Sequence, residues 1–386
     1  MVVERLGKVK KTNLVNFNQP YLSGKELSYI EDAVKRLHLS GNGYYSQKCQ
    51  RFFEQRFGFR KCLLTTSCTD ALEMCALLLD LKQGDEVIMP TFTFVSTANA
   101  FALRGAKIVF VDSEEQFPNM NAAQVEALIT PRTKAIVAVH YAGVACNLEA
   151  LKLICEKHGL TLIEDAAQAI DVPYGDSFLG GIGDLATFSF HETKNIQCGE
   201  GGMLVINNVK YVDRAEILWE KGTNRQAFFK GQVDKYRWVD LGSSFLPSEL
   251  NAAYLWAQLE CIDEIIANRK SLWQHYFDGL LELDMQGSLS IQKEKNCGNG
   301  HIFYVVTNDA AQRIDLIEHL RSKNINAVFH YQALHKSPFY TQQTKNSFLL
   351  ANAEHFEDCL LRLPLFMELT SEMQAEVIHA IKEFYS

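Results

Sequence analysis

Two stretches decide how this chain folds: Ile163-Glu164-Asp165-Ala166-Ala167-Gln168 and, one segment later, Phe188-Ser189-Phe190-His191-Glu192-Thr193-Lys194-Asn195. Residues 160–164 and 185–190 read as strands. A carboxylate, Asp165, follows the first, and a lysine, Lys194, stands just past the second. Several strands of this chain are near-continuous apolar runs rather than alternating ones. Such strands are buried on both faces, as in a mostly parallel sheet covered by helices. In an open sheet of that kind ligands bind in the crevice outside the carboxyl ends of the strands. Asp165 and Lys194 therefore face one crevice.

On either side the same alternation continues. Residues 61–65, 86–89, 107–112, 135–140 and 203–206 read as strands. Residues 69–81, 95–103, 122–129 and 148–158 read as the helices between them. Leu27, Ile30, Ala33, Val34 and Leu37 recur at helical spacing near the start. A long helix over 247–264 leads into a C-terminal part with short strands at 301–306 and 327–330. The expected architecture is α/β. A large domain, residues 1–250 with the N-terminal segment, carries the mostly parallel central sheet, and residues 251–386 form a smaller α+β domain.

Bulk properties exclude several function classes. The chain has 386 residues, enough for two domains, and is 47% hydrophobic and 22% charged with net charge −8. Its longest basic run is Lys8-Val9-Lys10-Lys11, which argues against a nucleic-acid surface. The ten cysteines include no CxxC pair and read as free thiols of a reducing cytosol, with no metal expected. No signal-peptide core and no membrane-spanning apolar run is present, so the expected location is cytoplasmic, with no membrane partner.

The chemistry sits at the strand ends. Thr66-Ser67-Cys68-Thr69-Asp70 lies between a strand and an apolar helix. Free N–H groups at a helix start, with hydroxyls beside them, make an anion cradle; simple capping by Ser67 or Thr69 is the plainer reading. Phe94, in Pro90-Thr91-Phe92-Thr93-Phe94, is placed to stack on a flat ring or to pack in the core. A buried carboxylate at Asp165 keeps a pyridinium nitrogen protonated, and a lysine at Lys194 forms a Schiff base. Together they are what a pyridoxal phosphate site requires. Gln168, three residues past Asp165, is placed to meet the cofactor's phenolic oxygen, and Ser189 to add a phosphate contact. His330, Tyr331 and His335 form a second polar cluster, either a substrate wall or a surface loop, without the spacing of a metal site.

These segments resemble the DegT/DnrJ/EryC1/StrS sugar aminotransferases. The likeness rests on Thr66-Ser67-Cys68-Thr69, residues 90–97, Val139-His140-Tyr141-Ala142-Gly143, Glu164-Asp165-Ala166-Ala167-Gln168, Phe188-Ser189-Phe190 with Lys194, and Glu200-Gly201-Gly202, in that order along nearly the whole chain. It implies the fold of fold-type I pyridoxal phosphate-dependent transferases and a homodimer whose active sites lie at the subunit interface. Lys194 would carry the cofactor, as pyridoxal 5'-phosphate or, between half-reactions, pyridoxamine 5'-phosphate. Asp165 would pair with its ring nitrogen, Gln168 would contact its hydroxyl, and Phe94 would stack on it. Ser67, the Cys68 backbone and Ser189 would hold its phosphate, and His330 and His335 would approach the substrate. The donor would be L-glutamate and the acceptor a dTDP-linked 4-keto-6-deoxysugar. The pattern departs at residues 242–249, where relatives place an Asn that reaches the partner subunit's phosphate. Leu246 stands there, leaving Asn224 or Arg225 as substitutes.

Other readings stay open on the sequence. Amination at C4 with the other stereochemistry, or at C3, fits the same motifs. A deoxysugar dehydratase of this fold carries His in place of the lysine, whereas Lys194 is kept. A non-catalytic homologue requires loss of Lys194, Asp165 or the cradle, and all are present. No GxGxxG marks a dinucleotide fold.

Overall fold

The computed structural model describes residues 14–292, 297–344 and 348–386, so the basic run at 8–11 lies outside the described residues. The large sheet has seven strands: β1 (Lys61–Thr65), β2 (Glu86–Pro90), β3 (Lys107–Val111), β4 (Thr133–Val139), β5 (Thr161–Asp165), β8 (Leu185–Ser189) and β9 (Gly202–Ile206). A small hairpin, β6 (Pro173–Tyr174) and β7 (Ser177–Phe178), interrupts the series. The order across the sheet is β1-β9-β8-β5-β4-β2-β3. Only β9 runs against the rest, pairing antiparallel with both β1 and β8. Apolar runs such as Val87–Met89 are buried on both faces, as expected of a covered parallel sheet.

This topology points the carboxyl ends of β1, β2, β4, β5 and β8 to one edge. Thr65 lies opposite Gly202, which lies opposite Ser189, and Asp165 lies opposite Val139 and Thr187. The ends of these strands and the loops that follow them carry Ser67, Cys68, Phe94, Asp165, Gln168, Ser189 and Lys194, whereas Asn224, His330, Tyr331 and His335 come from later segments. The strand expected at 160–164 begins and ends one residue later, so Asp165 is the last residue of β5 rather than the first beyond it.

The second sheet is antiparallel, with β10 (Ser290–Ile291), β11 (Tyr304–Val306), β12 (Val328–Phe329) and β13 (Leu360–Arg362) in the order β10-β11-β13-β12. One face, with Phe303, Val305 and Leu361, packs on Trp273, Tyr276, Leu316 and Val377 of the covering helices. The other, with Tyr304, Val306 and Leu360, packs with Phe92 and Tyr141 from the large sheet's loops. The cavity described below opens beside that joint.

The helix expected over 247–264 is two helices, Glu249–Leu259 and Ile262–Met285, with a break at Glu260 and Cys261. Ser248 caps the first, its Oγ accepting from the Asn251 N–H at 3.4 Å, and Glu249 is that helix's first residue. Its carboxylate is buried and accepts from the N–H groups of Gly43 (3.0 Å), Tyr45 (2.7 Å) and Ser46 (3.1 Å), and from the Ser46 hydroxyl. It thereby caps the helix Tyr44–Phe57, which the sequence reading did not assign. Leu255, Leu259 and Ile265 pack with the large core, while Leu272, Trp273 and Tyr276 pack with the small one, so the second helix serves both. Val15 bridges Ile325 and is buried in the small core. All ten cysteines are free. No helix among the described residues is long and apolar enough to cross a membrane.

Candidate active site

At the carboxyl edge of the large sheet lies a cavity of about 740 Å³, within the range of small-ligand sites. Ser67, Cys68, Phe94, Asp165, Gln168, Ser189, Lys194, His330 and Tyr331 all line it.

The phosphate side is the start of the helix Cys68–Leu78. Ser67 Oγ caps it by accepting from the Asp70 N–H at 3.0 Å. The capping reading is therefore correct, and it does not exclude the cradle. The N–H groups of Cys68 and Thr69 in that first turn have no hydrogen-bond partner among the described residues. The Thr69 hydroxyl reaches Ser96 Oγ at 2.8 Å. Ser189 approaches from β8, where its Oγ accepts from the His191 N–H at 3.3 Å. Gly202 sets how close the strands come to this helix: a Cβ there would lie 2.2 Å from the Ser67 carbonyl carbon and 2.3 Å from the Cys68 nitrogen. Only glycine fits that contact.

Asp165 is buried, and among the described residues the hydrogen-bond partners of its carboxylate are neutral. Thr97 Oγ1 donates to it at 2.8 Å and the Ala167 N–H at 3.2 Å, with Thr93 Oγ1 behind Thr97 at 2.9 Å. Burial pushes its carboxyl above the ordinary value, with Thr97, Ala167 and Lys194 pulling the other way. Lys194 sits half-buried across the cavity. Burial pushes its amine below the usual lysine value, and Cys68 and Asp165 oppose that shift. The two do not form an ion pair with each other. Each shift favours the neutral form, and a flat cationic ring between them would answer the charge of Asp165. The residues present thus fit a pyridoxal ring with its phosphate on the cradle.

Neighbouring residues fix that arrangement. Glu164, next to Asp165 but on the other face of the sheet, accepts from the N–H groups of Gly180 (2.8 Å), Ile182 (2.8 Å) and Gly183 (2.6 Å) and lies 3.0 Å from His140 Nε2. His140 Nδ1 accepts from the Cys146 N–H, so the ring proton sits on Nε2 and is donated to Glu164. Burial opposes the charge on Glu164, yet these donors hold its pKa below the ordinary value. The strand end that carries Asp165 is pinned in this way.

The second polar cluster divides. His330 lines the cavity with its Nδ1 2.9 Å from the Tyr141 hydroxyl and its ring against Tyr331. Burial, with Arg362 and Lys194 nearby, pushes its pKa well down, so it is neutral. Tyr331 OH accepts from Gln168 Nε2 at 3.1 Å, while Gln168 Oε1 accepts from the Ala142 N–H at 2.6 Å. His335 does not line the cavity. It is buried behind the wall, 2.9 Å from Thr91 Oγ1 and 3.1 Å from Glu354 Oε1. Asn224 is likewise away from the cavity within one chain, its Oδ1 accepting from the Arg237 N–H at 2.7 Å. Phe94 is 56% exposed at the mouth, its ring 6.2 Å from that of Tyr331.

Sequence reasoning missed Thr97, Tyr141 and Arg362. The first two lie inside segments quoted above, and Thr97 sits on the inward face of its helix, three residues past Phe94. Arg362 stands alone in a short apolar strand, with no local signal.

The family model of the DegT/DnrJ/EryC1/StrS aminotransferase family matches residues 20–382. Among solved structures, the aminotransferase TlmJ from Streptoalloteichus hindustanus is 27% identical, with 96% of this chain and 98% of that one covered at a TM-score of 0.88. DesV of S. venezuelae, solved in complex with a ketimine intermediate, is 28% identical over 97% of this chain and 99% of its own, at 0.87. Spr1654 of Streptococcus pneumoniae in its PMP form, 22% identical over 96% and 99%, is alike in fold at 0.87. The chain belongs to the DegT/DnrJ/EryC1/StrS aminotransferase family, pyridoxal phosphate-dependent enzymes that aminate sugars.

Proposed function

We propose that this protein moves the amino group of L-glutamate to C4 of dTDP-4-keto-6-deoxy-D-glucose, giving dTDP-4-amino-4,6-dideoxy-D-galactose. The observation that carries the transaminase part is the pair Asp165 and Lys194, facing each other across one cavity without pairing. Support for the sugar comes from Ser189-Phe190-His191-Glu192-Thr193-Lys194-Asn195, Glu220-Lys221-Gly222-Thr223-Asn224-Arg225, Gly231-Gln232-Val233-Asp234-Lys235-Tyr236 and Ala253-Tyr254-Leu255-Trp256-Ala257-Gln258-Leu259, which resemble enzymes making that product.

When bound, pyridoxal phosphate supplies an electron sink for the bond broken at the amino carbon. Asp165 would hold the ring nitrogen protonated, and Thr97 keeps the Asp165 carboxylate oriented. Lys194 would hold the cofactor and release it to the incoming donor amine. Its free Nζ would take the proton from the α-carbon of glutamate, helped by the burial that lowers its pKa, and deliver it to the cofactor carbon on the other side of the transferred nitrogen. In the second half-reaction the same amine runs the shift in reverse at C4 of the sugar. Ser67, the Cys68 N–H and Ser189 would bind the phosphate, Gln168 would meet the ring hydroxyl, and Phe94 would cover the ring. His330 and Tyr331 line the substrate side, and His335 acts only by holding the loop behind them. Two copies form a dimer in which Asn224 reaches the other subunit's site. The division of each chain into a large unit, residues 1–250, and a smaller one, residues 251–386, is part of the same reading, with the helix Ile262–Met285 packing against both cores.

The test is to convert the protein to its pyridoxamine form with glutamate, remove the glutamate, add dTDP-4-keto-6-deoxyglucose and take an NMR spectrum of the product. An axial amine at C4 supports the reading. Conversion by glutamate with no reaction of this sugar discards the sugar and keeps the transaminase.

A further inference from the structure

We propose that Arg362 is the anchor for a carboxylate of the amino donor. The inference rests on the aminotransferase reading and deepens it. Arg362 is the last residue of β13, opposite Tyr304 on one neighbouring strand and Val328 on the other. Side chains alternate across a strand. Leu361 turns into the small core, so Arg362 turns the other way, into the cavity that holds Lys194, His330 and Tyr331.

The guanidinium there is unspent. Its Nε is buried without an acceptor, and among the described residues no carboxylate pairs with it. Its Cζ lies over the ring of Phe17, 4.7 Å from the ring centroid. Arg269 in the same wall makes the contrast. That guanidinium donates to the carbonyls of Gly300 (3.1 Å), His301 (2.8 Å) and Leu365 (3.2 Å) and has a complete structural role. A buried cation with no partner is costly, and an active site keeps one where the ligand brings the missing anion.

The chemistry of the group and its place choose the anion. A guanidinium is a planar fork that matches a carboxylate through two parallel hydrogen bonds. Arg362 also lies close enough to Lys194 to depress the amine's pKa, alongside the larger effect of burial. It therefore stands at the reacting end of the cavity. A donor's α-carboxylate is one bond from the carbon that Lys194 deprotonates. The diphosphate of a sugar nucleotide lies across the sugar ring from C4 and would reach toward the mouth, where Phe94 is exposed.

The two half-reactions separate these roles, because only the first involves the donor. In the pyridoxal phosphate-loaded Arg362→Gln variant, single-turnover conversion by L-glutamate should show an apparent Kd raised about ten- to a hundredfold, the loss of a charged hydrogen-bonding partner. Calorimetric titration of 2-oxoglutarate into the pyridoxamine form should weaken alike. Arg362→Lys should recover part of both. The second half-reaction, with dTDP-4-keto-6-deoxyglucose, should change by less than about threefold, since no charged hydrogen bond is lost there. Unchanged glutamate affinity in the variant overturns the assignment alone. Equal weakening of both half-reactions, or a loss confined to the sugar nucleotide and to dTDP itself, also overturns it, the latter in favour of a diphosphate contact. Failure of the wild-type protein to convert its cofactor with any amino acid overturns this proposal and the aminotransferase reading together.

Discussion

Asp165→Asn is the substitution that isolates one charge from the rest of the site. The amide has the shape of the carboxylate, so its oxygen still accepts from Thr97, now 2.8 Å away. What is lost is the negative charge opposite a buried ring nitrogen. Removing one partner of a buried ion pair costs about 3–5 kcal/mol. At about 1.4 kcal/mol per tenfold in rate, the glutamate half-reaction should slow by roughly two to four orders of magnitude. The assay is stopped-flow absorbance of the cofactor after mixing with excess L-glutamate. Stability should move the other way in the cofactor-free protein. Burial raises the Asp165 pKa above its ordinary value. A carboxyl whose folded pKa is raised binds protons more readily folded than unfolded. Its contribution therefore falls as pH rises from the unfolded value, about 3.9, through the folded one. At neutral pH the charged carboxylate destabilises the empty site, and Asn should leave the melting temperature unchanged or higher. A variant that reacts within about tenfold of wild type, or half-reaction loss matched by a lower melting temperature, refutes the reasoning.

Three further outcomes follow from the geometry. Lys194→Ala should abolish turnover while still binding cofactor non-covalently, as read by dialysis and absorbance; near-normal turnover removes Lys194 from its role. Gly202→Ala drives a methyl into the Ser67–Cys68 backbone and should cost about 1–3 kcal/mol of stability, with weaker pyridoxal phosphate binding, checked by denaturant unfolding and cofactor titration. His335→Gln loses the imidazole's contacts with Thr91 and Glu354 and should cost about 1–2 kcal/mol. Its KM for glutamate and for the sugar should stay unchanged, and a raised KM would return His335 to the substrate wall.

Most of the large sheet was legible because its strands are apolar runs bounded by turns. β1 and the helix Leu148–His158 fall where the periodicity places them. Asp165 and Lys194 were legible because each follows such a run at the edge where loops collect. The helix break at Glu260 and Cys261 was not, since both residues are compatible with helix and Leu259 and Ile262 on its two sides pack into the same core. Tyr44–Phe57 was missed because its start is capped not by a neighbour in sequence but by Glu249, about two hundred residues on. The same reason hid Arg362 and misplaced His335. A residue between strands in the C-terminal part points inward or outward according to which sheet it joins, and that is settled by tertiary pairing rather than by local pattern.

The most direct test of the account is to load the protein with pyridoxal phosphate, reduce it with borohydride and map the modified peptide by mass spectrometry. A single adduct on Lys194, absent from Lys194→Ala, is the predicted result. An adduct on another lysine, or none while the cofactor remains bound, would contradict the site described here.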